Sequence, residues 1–172
     1  MAYSTLAFVY LHNRNFDKTL TASREAIRVQ PNDPYVTVYH GFILCANGQP
    51  EEGLPFAKRA IRLDPVFPRT PYRNILGVIY FHTGRYQEAL DSFMRSDELG
   101  GPRSPGLLAY QAATYARLGR DQEARTSFDL LTNYNGSFDW KGWLYRAYKN
   151  EQYAEQVLQP LSEFERDPNQ LR

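Results

Sequence analysis

Apolar residues recur every three or four positions along most of the chain, the spacing that predicts amphipathic helices. The clearest pair of segments is 72–82 and 86–97, and the connection between them contains Gly84, a residue that favours the end of a helix. The pattern therefore predicts a helical hairpin over residues 72–97. Its apolar positions are Leu76, Ile79, Tyr80, Tyr86, Ala89, Leu90 and Phe93.

This hairpin pattern is repeated along the chain. The segment GRYQEALDSF at 84–93 returns as GRDQEARTSF at 119–128, and Pro31 and Pro65 hold corresponding places in two earlier copies. One helical hairpin cannot bury its apolar face alone, whereas a stack of hairpins can. The repeated residues therefore indicate one packed architecture rather than a duplicated active site.

The repeated unit resembles the tetratricopeptide repeat (TPR) family, with its pattern Leu-Gly-x-x-Tyr, Ala-x-x-x-Phe and Pro. The first unit departs from it at Thr19 and Ser23, and the second at Gly53 and Ala57. The resemblance implies an all-α fold, a TPR α-solenoid in which antiparallel helix pairs form a right-handed superhelix. The matching residues are Leu6, Ala7, Tyr10, Phe16, Ala26, Pro31, Gly41, Gly48, Ala60, Pro65, Leu76, Gly77, Tyr80, Gly84, Tyr86, Ala89, Phe93, Ala112, Tyr115, Gly119, Ala124 and Phe128.

The chain divides into a repeat region and a tail. Four hairpins are expected within residues 1–134, and capping helices over 135–172. In the tail, Pro160 is expected to kink a last helix that runs to about residue 165. The hairpin boundaries fall at about 1–33, 34–68, 69–103 and 104–136. The side chains expected to seal the end of the stack are Trp140, Trp143, Leu144, Tyr153, Val157, Leu158 and Leu161.

The tail also resembles the closing segment of TPR regions fused to bacterial class III adenylate/guanylate cyclases, over residues 143–150 and 155–158. The chain enters its first helical pattern with no capping residue before it. Both features favour a C-terminal segment of a larger signalling protein, related to cyclases or to transcription regulators. Such a segment would have a regulatory or oligomerising role.

Charge and cysteine content exclude several classes of function. Lys and Arg number 20 against 19 Asp and Glu, a balance that gives no support to nucleic-acid binding. Residues 1–14 fit neither a secretory signal nor a membrane span, so no membrane association is expected. Cys45 is the single cysteine and cannot form an internal disulfide, which is compatible with a reducing, cytoplasmic location.

No constellation of residues predicts catalysis, a metal or another cofactor. His12 and His82 hold the same place in units two apart, roughly 20 Å from each other at about 8–10 Å per helix layer, too far to share an ion. His40 is interpreted as a packed, hydrogen-bonded histidine, and Cys45 as a buried or groove-lining thiol. The glycosylation-type sequence at 135–137 is interpreted as a turn. The chain is therefore not expected to be an enzyme.

By the geometry of the family, the first helix of each unit lines a concave groove. The resemblance implies protein or peptide partners, and here the groove positions are mostly apolar and aromatic. The family's clamp for the C-terminal carboxylate of the Hsp70 and Hsp90 chaperones is absent, since Ser4, Phe8, Tyr39, Pro71 and Ile75 hold its places. The residues expected to bind a partner are Phe8, His12, Tyr35, Val38, Phe42, Asn74, Val78, Phe81, His82 and Arg117.

A non-catalytic protein-binding module is therefore the leading interpretation, with a peptide or helix of the partner lying in the groove. The alternative is the regulatory or oligomerising segment described above. It is compatible with self-association through the first helix.

Overall fold

The computed structural model describes residues 2–65, 71–134 and 138–165. All regular secondary structure within those ranges is α-helical. The helices are α1 (Ala2–His12), α2 (Phe16–Val29), α3 (Pro34–Ala46), α4 (Pro50–Leu63), α5 (Tyr72–His82), α6 (Tyr86–Glu98), α7 (Pro105–Arg117), α8 (Asp121–Thr132), α9 (Trp140–Ala147) and α10 (Gln152–Leu161). The predicted hairpin boundary at 68–69 and the glycosylation-type sequence at 135–137 lie outside the described residues.

Local sequence signals begin and end these helices. The side chain of Asp33 accepts a hydrogen bond from the backbone N–H of Val36 at 3.0 Å, which caps α3. The turn inside each of the last three hairpins has a glycine with positive φ, for example 75° at Gly84. In the first hairpin, Arg14 adopts the same left-handed conformation with φ of 56°, which is uncommon for a residue with a side chain.

The first eight helices form four antiparallel hairpins, α1–α2, α3–α4, α5–α6 and α7–α8. Each hairpin packs on the next through its second helix, so that α2 contacts α3, α4 contacts α5 and α6 contacts α7. The first helices α3, α5 and α7 also contact one another in sequence and line one side of the stack. The predicted all-α solenoid with a C-terminal helical cap is confirmed.

Small residues allow the helices of a hairpin to approach closely. A Cβ atom at Gly41 would lie 2.7 Å from the carbonyl oxygen of Gly53, and one at Gly53 would lie 2.4 Å from the carbonyl oxygen of Gly41. Both distances are too short for contact between a carbon atom and a carbonyl oxygen. Glycine at both positions therefore determines the separation of α3 and α4.

Helices α9 and α10 form the C-terminal cap, and the cap extends much further than the end of the stack. Trp140 contacts Phe128 of the fourth hairpin in an edge-to-face pair, with ring centroids 6.3 Å apart. From there α9 crosses α7 and reaches α1, and α10 returns along α7. Between them, the backbone N–H of Lys149 donates to the carbonyl oxygen of Ala46 at 2.9 Å. The cap thus contacts the first helix of several hairpins.

The last helix is shorter than the sequence predicts. Helix α10 ends at Leu161, and residues 162–165 form a turn. Pro160 lies in the last turn of the helix, one residue before its end, so it produces no kink inside a longer helix. The carbonyl oxygen of Gln156, which Pro160 cannot bond, accepts from Arg117 instead.

We expect Gly41→Ala to lower the free energy of unfolding by about 1–3 kcal/mol, because the new methyl group overlaps the backbone of α4. Helix propensity alone would give the opposite sign, since alanine is favoured over glycine by about 1 kcal/mol. Urea unfolding followed by circular dichroism measures the difference. Thr21→Ala, on the exposed side of α2, is the control, and an unchanged or increased stability of Gly41→Ala would contradict the close approach.

Candidate functional site

The concave side of the stack is divided into a covered part and an open part. Val38, Val78 and Phe81 are each at most 5% exposed and belong to the same apolar cluster as Leu144 and Tyr148 of the cap region. The expected groove along all four hairpins is therefore occupied over much of its length by the chain's own α9 and α10. These three apolar side chains are therefore buried within the chain itself and do not face a partner.

A chain of hydrogen bonds joins the cap to the covered part. Burial lowers the pKa of His82 to about 4, so the ring is neutral at pH 7. Its Nδ1 lies 2.8 Å from Oε1 of Gln156 and donates to it, which leaves Nε2 to accept from the hydroxyl of Tyr110 at 2.7 Å. The oxygen of Tyr110 then accepts from the hydroxyl of Tyr148. All four polar groups are thus paired within the protein.

Two further predicted groove residues also have partners within the chain. Asn74 is buried, and its amide Nδ2 donates to the carbonyl oxygen of Pro102 at 2.8 Å. Arg117 is exposed, but its guanidinium donates to the backbone oxygen of Gln156 at 3.2 Å and to the side chain of Gln159 at 3.1 Å. Arg117 therefore holds α10 in this structure.

The cap is too deeply buried to be a weakly held lid. Leu144, Val157 and Leu161 are each fully buried, and burial of such side chains contributes about 1.5–3 kcal/mol each. Their sum is about 5–9 kcal/mol, counted before the conformational entropy that is lost when the cap becomes ordered. A partner that displaced α9 and α10 would have to replace contacts of that size.

The open part lies at the first two hairpins. Phe8 of α1 is 40% exposed and Tyr35 of α3 is 49% exposed. His12 is exposed as well, and Phe42 is half-buried against the main apolar cluster. Of the ten predicted groove residues, Phe8, His12 and Tyr35 are exposed, and Arg117, which is also exposed, is bound to α10.

A cavity of about 320 Å³ lies next to Phe8 and Tyr35, between α1, α2 and α3. Helix α1 does not pack against α3 as α3 packs against α5. One cause is visible in the sequence, because Ser23 holds the place that Phe93 and Phe128 hold in the third and fourth hairpins. The lining residues are Ser4, Thr5, Ala7, Phe8, Ser23, Ala26, Gln30, Asp33, Tyr35, Val36, Tyr39, His40 and Ile43.

Four aromatic side chains, which we call the aromatic row, follow the mouth of this cavity onto α5. Phe8 meets Tyr39 edge-to-face at 4.7 Å between ring centroids, Tyr39 lies 5.1 Å from Tyr35, and Tyr35 lies 5.9 Å from Tyr72. Burial and the nearby carboxylate of Asp64 raise the pKa of Tyr72 to about 12, and burial also raises the pKa of Tyr39. The phenols are thus neutral hydrogen-bonding groups.

His40 forms the inner wall of the cavity. Its Nδ1 lies 3.0 Å from the hydroxyl oxygen of Ser23, and Ser23 donates its own proton to the carbonyl oxygen of Leu20 at 2.9 Å. The histidine Nδ1–H must therefore be the donor of this pair. Burial, followed by the charge of Arg24, lowers the pKa of His40 to about 4. The prediction of a packed, hydrogen-bonded histidine is confirmed.

Cys45 is fully buried, and burial raises the pKa of its thiol. The prediction of a buried or groove-lining thiol is confirmed. Within the described ranges, no three side chains from His, Cys, Asp and Glu come together as a metal site requires. Across the same ranges, none of the helices has the length and apolar content needed to cross a membrane.

Sequence reasoning missed two features of this surface. Tyr39 was considered only as a place in the absent carboxylate clamp, although it joins Phe8 to Tyr35 in the aromatic row. The cavity was not foreseen either. Its signal was present in the departure at Ser23, where a small polar residue replaces the aromatic side chain of the family pattern.

Comparisons with known proteins support a tetratricopeptide repeat array. The family model for the tetratricopeptide repeat matches residues 70–99. The chain is 26% identical over 139 residues to a TPR repeat-containing protein of Methanocaldococcus jannaschii, covering 79% of this chain and 24% of that protein. It is 33% identical over 89 residues to the peroxisomal targeting signal receptor of Eremothecium gossypii, covering 52% and 15%. The chain thus spans about a quarter or less of the length of these relatives.

Solved structures share the fold. PilW, a type IV pilus biogenesis factor, superposes with a TM-score of 0.69 at 21% identity, over 97% of this chain and 79% of PilW. MamA superposes with a TM-score of 0.61 at 16% identity, over 95% of this chain and 88% of MamA. At these identities the likeness establishes the solenoid fold alone.

The neutral His82 makes stability depend on pH. The unfolded chain binds a proton at His82 near pH 6.5 and the folded chain only near pH 4, so stability is full above about pH 6.5 and falls as the pH drops toward 4. We expect His82 to account for a loss of roughly 2 kcal/mol in the free energy of unfolding between pH 7 and pH 5. Urea unfolding at the two pH values measures this loss.

His82→Gln should reduce the loss between pH 7 and pH 5, whatever it does to stability at pH 7. The control is the same substitution at the exposed His12. An unchanged difference between the two pH values in His82→Gln would show that the buried ring is not the source.

Proposed function

We propose that this chain is a non-catalytic protein-interaction module that binds a peptide or helix of a partner at the open part of its concave side. The observation that carries the proposal is the exposure of Phe8 and Tyr35 beside a cavity in an otherwise closely packed stack. Exposed aromatic side chains around a depression are the features that dominate binding energy at protein interfaces.

The groove residues have two different roles in this proposal. Phe8, His12 and Tyr35 contact the partner, with His12 as a polar selector at the end of α1. Val38, Val78, Phe81 and His82 hold the cap and so limit binding to the open part. Phe42 lies half-buried between the two parts, and Asn74 and Arg117 fix the loop after α6 and helix α10.

The comparisons support a protein partner in general terms. TPR proteins generally mediate protein–protein interactions, and one relative is a receptor for a peroxisomal targeting signal. The partner proposed here differs from an acidic C-terminus, because the residues that line the cavity include no lysine or arginine to pair with a carboxylate. Apolar or aromatic anchors on a short helix or an extended segment fit this surface.

A second function, self-association as part of a regulatory or oligomerising segment, is favoured by a different observation. Tyr3, Leu6 and Val9 are exposed large apolar side chains on α1, and Ala7 is the only buried residue of that helix. A helix that is apolar on all sides normally lies buried against a neighbour. A second copy of the chain is one such neighbour.

The proposed interaction predicts that peptides selected on the immobilised chain from a displayed random library bind through Phe8 and Tyr35. Phe8→Ala or Tyr35→Ala should weaken such a peptide at least about tenfold, as expected for a truncated hot-spot residue. Titration calorimetry with the purified peptide measures the change.

The matched control is Leu130→Ala, because Leu130 is 53% exposed but lies on the second helix of the fourth hairpin. Equal weakening by Leu130→Ala, or selection of peptides indifferent to all three substitutions, would contradict the proposed surface.

The second function predicts a molar mass in solution above the 19.9 kDa of one chain, measured by light scattering at micromolar concentrations. Leu6→Glu should return the mass to 19.9 kDa, because a carboxylate cannot be buried in an apolar interface without a partner. A single-chain mass for the unmodified protein would exclude self-association through α1.

A further inference from the structure

We infer that the cavity between α1, α2 and α3 is a pocket for one tryptophan side chain of the partner. The inference rests on the proposed function, and it names the anchor that the open surface would take. Its grounds are the size of the cavity, the character of its walls and an unpaired hydroxyl group on one of its lining residues.

The size of the cavity favours a ring system larger than a single benzene ring. An engineered protein cavity of about 150 Å³ binds benzene. The cavity here has about 320 Å³, roughly twice that volume. A bicyclic indole therefore fits, and a leucine or valine side chain would leave much of the space empty.

The walls of the cavity are mainly apolar and aromatic. Ala7, Ala26, Val36 and Ile43 provide aliphatic surface at the inner wall. Phe8, Tyr35 and Tyr39 form the rim, where an entering ring can make the edge-to-face contacts that aromatic pairs prefer. Because Phe8 and Tyr35 are exposed, the cavity is open to the surface on this side.

The charges around the cavity give no reason to expect a charged anchor. His40 is neutral at pH 7, so it does not attract an anion into the cavity. Asp33 carries a negative charge at the rim, and its carboxylate already accepts the backbone N–H of Val36. The positive charge of Arg24 acts on His40 as well, so charges of both signs lie near the cavity and neither an acidic nor a basic side chain is singled out. A neutral ring matches the mainly apolar lining.

One polar atom in the wall lacks a partner. The hydroxyl oxygen of Ser4 is shielded from solvent and forms no hydrogen bond in the described structure. The hydroxyl of Ser23, by contrast, already donates to Leu20 and accepts from His40. A buried hydroxyl without a partner costs free energy, and a ligand N–H could remove that cost if the Ser4 side chain rotated toward the cavity on binding. Indole has one such donor and is otherwise apolar.

The test uses indole itself with the full chain, so that it requires no partner protein. Binding is followed by two-dimensional NMR of the methyl groups of Ala7, Ala26 and Ile43. We expect saturable shifts with a dissociation constant of about a millimolar, typical of a fragment of this size. 1-Methylindole, which lacks the N–H donor, should bind roughly 2- to 10-fold more weakly, and Ser4→Ala should weaken indole by a similar factor.

Two comparisons keep the result specific. Ser23→Phe places the aromatic ring of the later hairpins into the cavity and should abolish the shifts, and Ser162→Ala on the exposed turn after α10 is the control for Ser4→Ala. p-Cresol represents a tyrosine side chain. Absence of saturable shifts, equal shifts in Ser23→Phe, equal affinity for 1-methylindole, or tighter binding of p-cresol would each overturn the assignment of an indole pocket.

This outcome can be separated from that of the proposed function. If selected peptides bind through Phe8 and Tyr35 while indole does not enter the cavity, the interaction surface stands and the tryptophan anchor is wrong. If indole enters the cavity but no peptide is selected, the pocket stands and the proposed peptide-binding function fails.

Discussion

The structure depends on the burial of Tyr148 between the cap and the stack. Its hydroxyl donates to Tyr110, Tyr110 donates to His82, and His82 donates to Gln156 of α10, so that each polar group of this network has a partner. A buried phenol without this chain would cost several kcal/mol. The network therefore permits the amphipathic helix pair α9 and α10 to occupy the concave side, and it fixes the position of that pair.

This occupation decides which surface remains for a partner. The cap removes the C-terminal part of the groove from solvent, and it is held there by fully buried side chains such as Leu144, Val157 and Leu161. The cap is bound more weakly to the first hairpin. The contacts there are a hydrogen bond from Arg14 to the backbone of Tyr145 and an exposed ion pair between Lys149 and Asp17. Exposed ion pairs contribute little, so the first hairpin depends mainly on the contact of α2 with α3.

The hairpins were predictable from sequence because a repeat of small, aromatic and turn residues encodes contacts between neighbours. Gly41 and Gly77 indicate a close approach of two helices and Gly84 indicates a turn, and both conclusions can be drawn without a structure. The helices of the cap were predictable, but the sequence did not indicate that they run back along the concave side of the stack. Apolar residues such as Val78 and Phe81 on a concave side have the same pattern whether they meet a partner or the chain's own tail, and no local signal in 138–165 distinguishes the two.

The first interface of the stack differs from the later ones for a similar reason. In the third and fourth hairpins a phenylalanine fills the space between the helices, whereas Ser23 leaves a cavity that His40 only partly occupies. An empty apolar space costs stability in proportion to its size. The stack tolerates that cost at the first interface because Tyr148, Leu144 and Leu161 stabilise the other three hairpins. The stability of the later hairpins thus allows the first interface to remain open and less closely packed. The exposed aromatic side chains lie at that interface.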